Sequence, residues 1–178
     1  MRLLTLLALA FVAQLNADPL PEELRQNGWF IGCQAYTFNR FSAFEAIAKT
    51  KEAGGNMIEF YPGQTLKPGS KDKVNHSMSA EAMAELQAEL KRQGIKAVNY
   101  GVVGANNAEE VNKIMAFAKK MGLYAVCTES TEQIAAWEKA AIETDIKVAF
   151  HEHGGSMSNP KYKVWNPLYI LGVVESRD

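Results

Sequence analysis

The chain has 178 residues, 47% of them hydrophobic and 22% charged, and its 19 Lys and Arg nearly balance 20 Asp and Glu. That length carries one domain with a real core. The basic residues are scattered along amphipathic segments with no basic stripe or aromatic-interleaved patch, which excludes nucleic acid as the expected partner.

Residues 1–17 stand apart. Met1-Arg2 give a short positive start, Leu3 to Val12 form an apolar run broken only by Thr5, and Ala17 offers a small residue at a cleavage point before Asp18-Pro19. This is the layout of a secretory signal peptide, and the run is shorter than the roughly 20 residues a spanning helix needs. A retained N-terminal anchor is the other reading. The expectation is an exported product, secreted or periplasmic, with no membrane association after cleavage and with residues 18–178 as the folded part. Cys33 and Cys127 either pair, as export permits, or sit free as small core residues in the apolar runs that hold them.

Two periodicities then alternate. Phe30 to Tyr36 reads as a first strand, and Ser42 with Glu45 three residues on is a capping box for a helix with Phe44, Ile47 and Ala48 inward, ending at Gly54-Gly55. Asn56 to Tyr61 is a second strand, followed by a Gly/Pro/Lys-rich loop from Pro62 to about Ser77. Ser79 caps a helix with Met83, Leu86 and Leu90 on one face, ended by Gly94. Ile95 to Val103 is the third strand; Asn107 opens a helix with Val111, Ile114, Met115 and Ala118 inward, stopped at Gly122. Leu123 to Cys127 is the fourth, and Ser130 with Gln133 starts a helix carrying Ile134, Trp137 and Ala141. Ile146 to Phe150 is the fifth, and Asn166-Pro167 opens a last helix with Leu168, Leu171 and Val174 inward.

Several strands are apolar at successive positions, as strands covered on both faces are. Repeated strand–helix units predict an α/β fold with a parallel sheet, either doubly wound or closed into a barrel. The first strand–helix turn, Tyr36-Thr37-Phe38-Asn39-Arg40, has no glycine, which disfavours a dinucleotide-binding fold.

In a βα barrel the chemistry collects at the downstream strand ends. Those positions hold Gln34 and Tyr36, Glu59 and Tyr61, Asn99 and Tyr100, Glu129, then His151, Glu152 and His153. Strand alternation predicts that His151 and His153 share the inward face while Glu152 faces the helices. Two imidazoles on one face suit a divalent transition metal, or are polar groups satisfied by hydrogen bonds. Glu59, inside Met57-Ile58-Glu59-Phe60-Tyr61, is costly to bury unless it meets substrate hydroxyls or a buried cation. Glu129 is a candidate catalytic carboxylate or a partner for the next helix's N-terminus. His76, in the long second loop, reads on position as a surface histidine. Tyr36, Tyr61 and Tyr100 are packing or binding aromatics, Trp137 is core, and Trp165 either anchors the last helix or covers a sugar ring.

Five segments in order carry a family resemblance: Ile58-Glu59-Phe60-Tyr61-Pro62-Gly63-Gln64, Asn75-His76-Ser77-Met78-Ser79, Val98-Asn99-Tyr100-Gly101-Val102-Val103-Gly104, Phe117-Ala118-Lys119-Lys120-Met121-Gly122 and Val148-Ala149-Phe150-His151-Glu152-His153. Through them the chain resembles the N-terminal part of exported sugar phosphate isomerase/epimerase proteins with a xylose isomerase-like TIM barrel. The resemblance implies a partial (β/α)8 barrel of about five βα units. It further implies one divalent metal ion (manganese, zinc, cobalt or magnesium) in the complete protein, with His151 at the position of its first ligand. Glu129 and His153 are then candidate catalytic groups, and Tyr36, Glu59 and His76 candidate substrate-binding groups, for a small sugar or keto-sugar. The metal would polarise a carbonyl while a base abstracts the neighbouring proton. Relatives often carry Glu where this chain has His151, which weakens two-base epimerisation and favours lyase or hydratase chemistry on a 3-keto-glycoside. A non-catalytic carbohydrate-binding domain is the alternative from another class. The sequence ends before the family's Asp-x-x-His segment and final glutamate, so the 178 residues alone are expected to be inactive and to self-associate through open sheet edges.

Overall fold

A computed structural model of the chain describes residues 20–155, 159 and 161–175. The segment read as a signal peptide, 1–17, lies outside the described residues.

After a 3-10 turn at Glu22–Leu24 the chain forms a small antiparallel hairpin, β1 (Arg25–Gln26) with β2 (Trp29–Phe30), turning at Asn27 and Gly28, both at positive φ. The parallel strand β3 is short, Gly32–Gln34, and not the run to Tyr36 that the sequence predicts. The Gln34 side chain accepts a hydrogen bond from the Tyr36 amide, which turns Ala35–Phe38 into a single 3-10 turn. Helix α1 (Ala43–Glu52) opens with the expected capping box: Ser42 Oγ accepts from the Glu45 amide at 3.3 Å, and Glu45 Oε2 accepts from the Ser42 amide at 2.8 Å.

Strand β4 (Met57–Phe60) follows, and the long loop after it contains a second small hairpin, β5 (Gln64–Thr65) with β6 (Lys73–Val74). Helix α2 (Ala80–Gln93) is capped by Ser79 and closed by Gly94 in the left-handed conformation, and α3 (Ala108–Met121) likewise by Asn107 and Gly122. Strand β7 (Lys96–Tyr100) lies between these helices, and β8 (Ala125–Thr128) after them. Ser130 does not cap the next helix: its Oγ accepts from the Ala105 amide at 2.9 Å, and a 3-10 turn (Thr131–Gln133) leads into α4 (Ile134–Thr144). Strand β9 (Lys147–Phe150) and α5 (Pro167–Glu175) complete the described chain.

Among the described residues the main sheet has five strands, all parallel, in the order β3-β4-β7-β8-β9. Alternation along the strands, shifted within β7 by an irregularity in its pairing with β4, sorts the side chains. Ile58, Phe60, Ala97, Tyr100 and Val126 join Ile47, Leu86, Leu90, Val111, Ile114, Met115, Ala118 and Trp137 from the helices in one core. Met57, Glu59, Asn99, Ala125 and Ala149 instead line a cavity of about 420 Å³ on the opposite face. Polar residues can therefore stand on the second face without entering the core. Cys33 and Cys127 are free.

Helix α5 departs from expectation. Leu168, Leu171 and Val174 are 75%, 49% and 48% exposed, and none of the helix's described residues is buried. An apolar stripe is buried only where a second element faces it, and the described residues place none there. Among the described residues no helix is long and apolar enough to cross a membrane.

Candidate functional site

The site is a consequence of register. Strand β8 pairs with β9 so that Cys127 is level with Ala149 and Thr128 with Phe150. The ladder runs one bond further, from the His151 amide to the Thr128 carbonyl at 2.9 Å. Glu129 and His151 thus leave adjacent strand ends side by side, and His151 Nδ1 lies 2.9 Å from Glu129 Oε1. Both side chains keep about a third of their surface, 36% for His151 and 28% for Glu129. With Nδ1 engaged by the carboxylate, the other ring nitrogen is left for chemistry.

These residues stand on one wall of an open cleft of about 980 Å³, lined also by Gln34, Tyr36, Tyr61, Glu152 and His153. The His153 ring centroid is 5.6 Å from that of His151. Glu152 lines the cleft too, and does not face the helices as alternation predicts. Strand β9 ends at Phe150, so the two-residue period does not extend to Glu152.

On the facing side Gln34 is a staple. Its Oε1 accepts from the Tyr36 amide and its Nε2 donates to the Gly101 carbonyl at 3.2 Å, tying the turn after β3 to the end of β7. The Tyr36 ring, 59% exposed, stands edge-on to Tyr61 with centroids 5.1 Å apart. Gly101 is required by packing: a Cβ there would fall 2.5 Å from both Cys127 Cβ and the Cys127 carbonyl oxygen. Cys127 itself is buried, and burial first, then the charges of Glu59 and Glu129, push its thiol up to about 11.

Glu59 is not at the mouth. It lies deeper on the open face of the sheet, beside a bulge between Ile58 and Glu59 that pairs it with Asn99. Burial raises its pKa, opposed by the Asn99 hydrogen bond and by attraction to His151. It is thus within electrostatic reach of the mouth without lining it. His76 is brought elsewhere: its Nδ1 is 3.4 Å from the Tyr100 hydroxyl, and it is not among the residues lining the cleft. Burial lowers its pKa, while Glu110 raises and Lys113 lowers it.

One site residue went unread in the sequence. Tyr162, in the segment between β9 and α5, sets its ring edge-on to His153, with centroids 6.4 Å apart. Burial first, then the nearby carboxylates of Glu129 and Glu152, raise its pKa. An aromatic in a connecting loop carries no local signal for such a contact. Trp165 Nε1 donates to the Tyr162 carbonyl at 2.9 Å, and its ring lies over Gly155.

A catalytic zinc ion characteristically takes three protein ligands. Among the described residues no three His, Cys, Asp or Glu side chains converge in that way. His151 offers one imidazole nitrogen, so these residues do not by themselves make the metal centre that the resemblance implies.

No protein-family model and no curated protein matches the sequence. Among solved structures, the chain is similar to an uncharacterized protein from Parabacteroides distasonis at 32% identity and a TM-score of 0.66, over 70% of this chain and 53% of that one. It is also similar to a sugar phosphate isomerase/epimerase from the same organism at 10% identity and a TM-score of 0.54, over 83% of this chain and 64% of that one. The chain thus spans about half to two thirds of these proteins. With the five parallel strands and their interleaved helices, the likeness defines the fold as α/β, a partial (β/α)8 barrel.

Proposed function

We propose that the whole protein is an exported sugar isomerase/epimerase-type enzyme that removes a proton next to the carbonyl of a small sugar or keto-sugar. The observation that carries this reading is the 2.9 Å contact between Glu129 and His151 at the rim of a cleft. The fold shared with a sugar phosphate isomerase/epimerase supports it. Glu129 accepts the Nδ1 hydrogen and holds the imidazole with its second nitrogen toward the substrate. That nitrogen takes the proton from the carbon beside the carbonyl, the bonding pair moves into the enolate, and Glu129 stabilises the imidazolium. For isomerisation or epimerisation the proton returns to a carbon of the enolate. His153, adjacent to His151, is the candidate second proton carrier. Tyr36 and Tyr61 supply an aromatic wall for the sugar ring, and Glu59, deeper on the sheet's open face, acts on the site through its charge beside His151. A role for His76 is confined to the shell around Tyr100.

Lyase action on a 3-keto-glycoside draws on the same geometry, because elimination needs one base and one departing group, and a single His–Glu pair supplies that base. A divalent metal belongs to this proposal only as a ligand of the whole protein, with His151 as one donor. Secretion through residues 1–17 is part of it too, as is self-association through the sheet edges and α5.

The test is hydrogen exchange. The whole protein, incubated with a panel of aldoses, ketoses and 3-keto-glycosides in D2O, is expected to wash deuterium into the carbon beside the carbonyl of one of them. Glu129→Gln and His151→Asn are each expected to slow this by about 100-fold or more. Exchange in none of the panel, with sugar binding retained, would leave a non-catalytic carbohydrate-binding domain in its place.

A further inference from the structure

We infer that a polar recess beside the cleft is a second binding site, for a hydroxylated organic anion such as a sugar acid or a sugar phosphate. The recess has a volume of about 370 Å³ and shares only Tyr61 with the cleft. Its lining comes from two consecutive connections, the turn from β3 into α1 and the loop from β4 into α2. These are bonded to each other: the Phe44 amide donates to the Leu66 carbonyl at 3.1 Å, and Gln64 Nε2 donates to the Phe41 carbonyl at 3.2 Å. The two loops thus form one wall by themselves.

Charge selects the sign of the occupant. Arg40 and Lys73 line the recess, and among the described residues neither makes an ion pair. Lys73 Nζ donates to Thr65 Oγ1 at 2.7 Å, a neutral partner that places the ammonium without cancelling its charge. Glu45, also in the lining, has its carboxylate committed: Oε2 accepts from the Ser42 amide at 2.8 Å and from the Ser42 hydroxyl at 2.6 Å. Two cations against one committed carboxylate in a concave wall favour an anion. Carboxylate and phosphate are the groups that a guanidinium fork and an ammonium hold. Amides at the start of α1 are already in use, that of Phe44 by Leu66 and that of Glu45 by Ser42, so the grip comes from side chains.

Gln64 selects the rest of the molecule. It lines the recess and is 2% exposed. Because Nε2 is engaged by Phe41, the orientation of the amide is set, and Oε1 is buried with no hydrogen-bond partner among the described residues. A buried acceptor left so is costly, which favours an occupant that brings a donor. A hydroxyl near the acid group supplies that donor while the acid group meets Arg40 and Lys73. The recess is independent of the proton chemistry proposed above, since neither Glu129 nor His151 lines it.

The experiment is calorimetric titration of the whole protein at about pH 7 and low ionic strength, where Arg, Lys and the acid groups are all charged. The probes are a hexonate, a hexose phosphate, the free hexose and hexanoate. The hexonate or the hexose phosphate is expected to bind saturably, at least about tenfold more tightly than the free hexose or hexanoate. The tighter of the two identifies the acid group. Arg40→Gln and Lys73→Gln are each expected to weaken that binding about tenfold. Lys67→Gln, which removes an ammonium paired with Glu85 outside the recess, is expected to leave it unchanged. Saturable binding of neither anion overturns the assignment, as does hexanoate binding as tightly as the hexonate. An equal loss in Lys67→Gln means diffuse surface charge and overturns it too. Binding lost in His151→Asn but kept in Arg40→Gln places the anion in the cleft, which removes the recess site and leaves the sugar-directed reading standing.

Discussion

Glu59 sits where charge is costly. It is half-buried on the sheet's open face, and burial outweighs both the Asn99 hydrogen bond and the pull of His151, so its pKa is raised. A carboxyl that binds its proton more tightly in the folded than the unfolded chain favours folding at low pH. That contribution disappears as pH rises through the folded-state value. Glu59→Gln is therefore expected to match the parent protein near pH 4 and to unfold at a higher temperature than it at pH 8. Thermal denaturation at the two pH values checks this, and an advantage confined to acid pH would contradict it. The position was legible in sequence, because a glutamate inside Met57–Tyr61 has no cheap place to go. Its depth was not, since only the pairing with β7 sets how far below the rim it lies.

The elements follow from short-range chemistry. Capping groups act over three or four residues, so Ser42, Ser79 and Asn107 mark helix starts, and Gly94 and Gly122 mark ends, without knowledge of the fold. Ser42→Ala removes the acceptor for the Glu45 amide while leaving the core of α1 intact, and is expected to cost about 1 kcal/mol of stability. Urea denaturation measures it; a change near zero would mean that water replaces the cap without loss. Ser130 shows where the local rule fails. The same sequence cue is present, but tertiary structure recruits its hydroxyl to the Ala105 amide 25 residues away. The first strand fails for a related reason, its downstream half being drawn into a turn by Gln34.

At the scale of the molecule, two features remain without a partner among the described residues. Strands β3 and β9 are each paired on one side, and α5 presents Leu168, Leu171 and Val174 to solvent. Unpaired edges and contiguous apolar surface favour association. Sedimentation velocity on this chain is expected to show concentration-dependent self-association, reduced in Leu168→Glu/Leu171→Glu. A monomer at all concentrations, or association unchanged in that variant, would remove α5 from the account.

What the amino-acid order determined alone is the alternation of strand and helix, the caps, the parallel sheet and the identity of the polar strand-end residues, all of which depend on neighbours a few positions apart. Tertiary structure decided which of them meet. Glu129 and His151 are 22 positions apart and touch only because β8 and β9 pair in one register. Tyr162 meets the His153 ring through a loop with no periodicity to read. His76, in the long loop after β4, meets the Tyr100 hydroxyl 24 positions away at 3.4 Å. Contacts of that range are set by register and chain path, which no local pattern encodes.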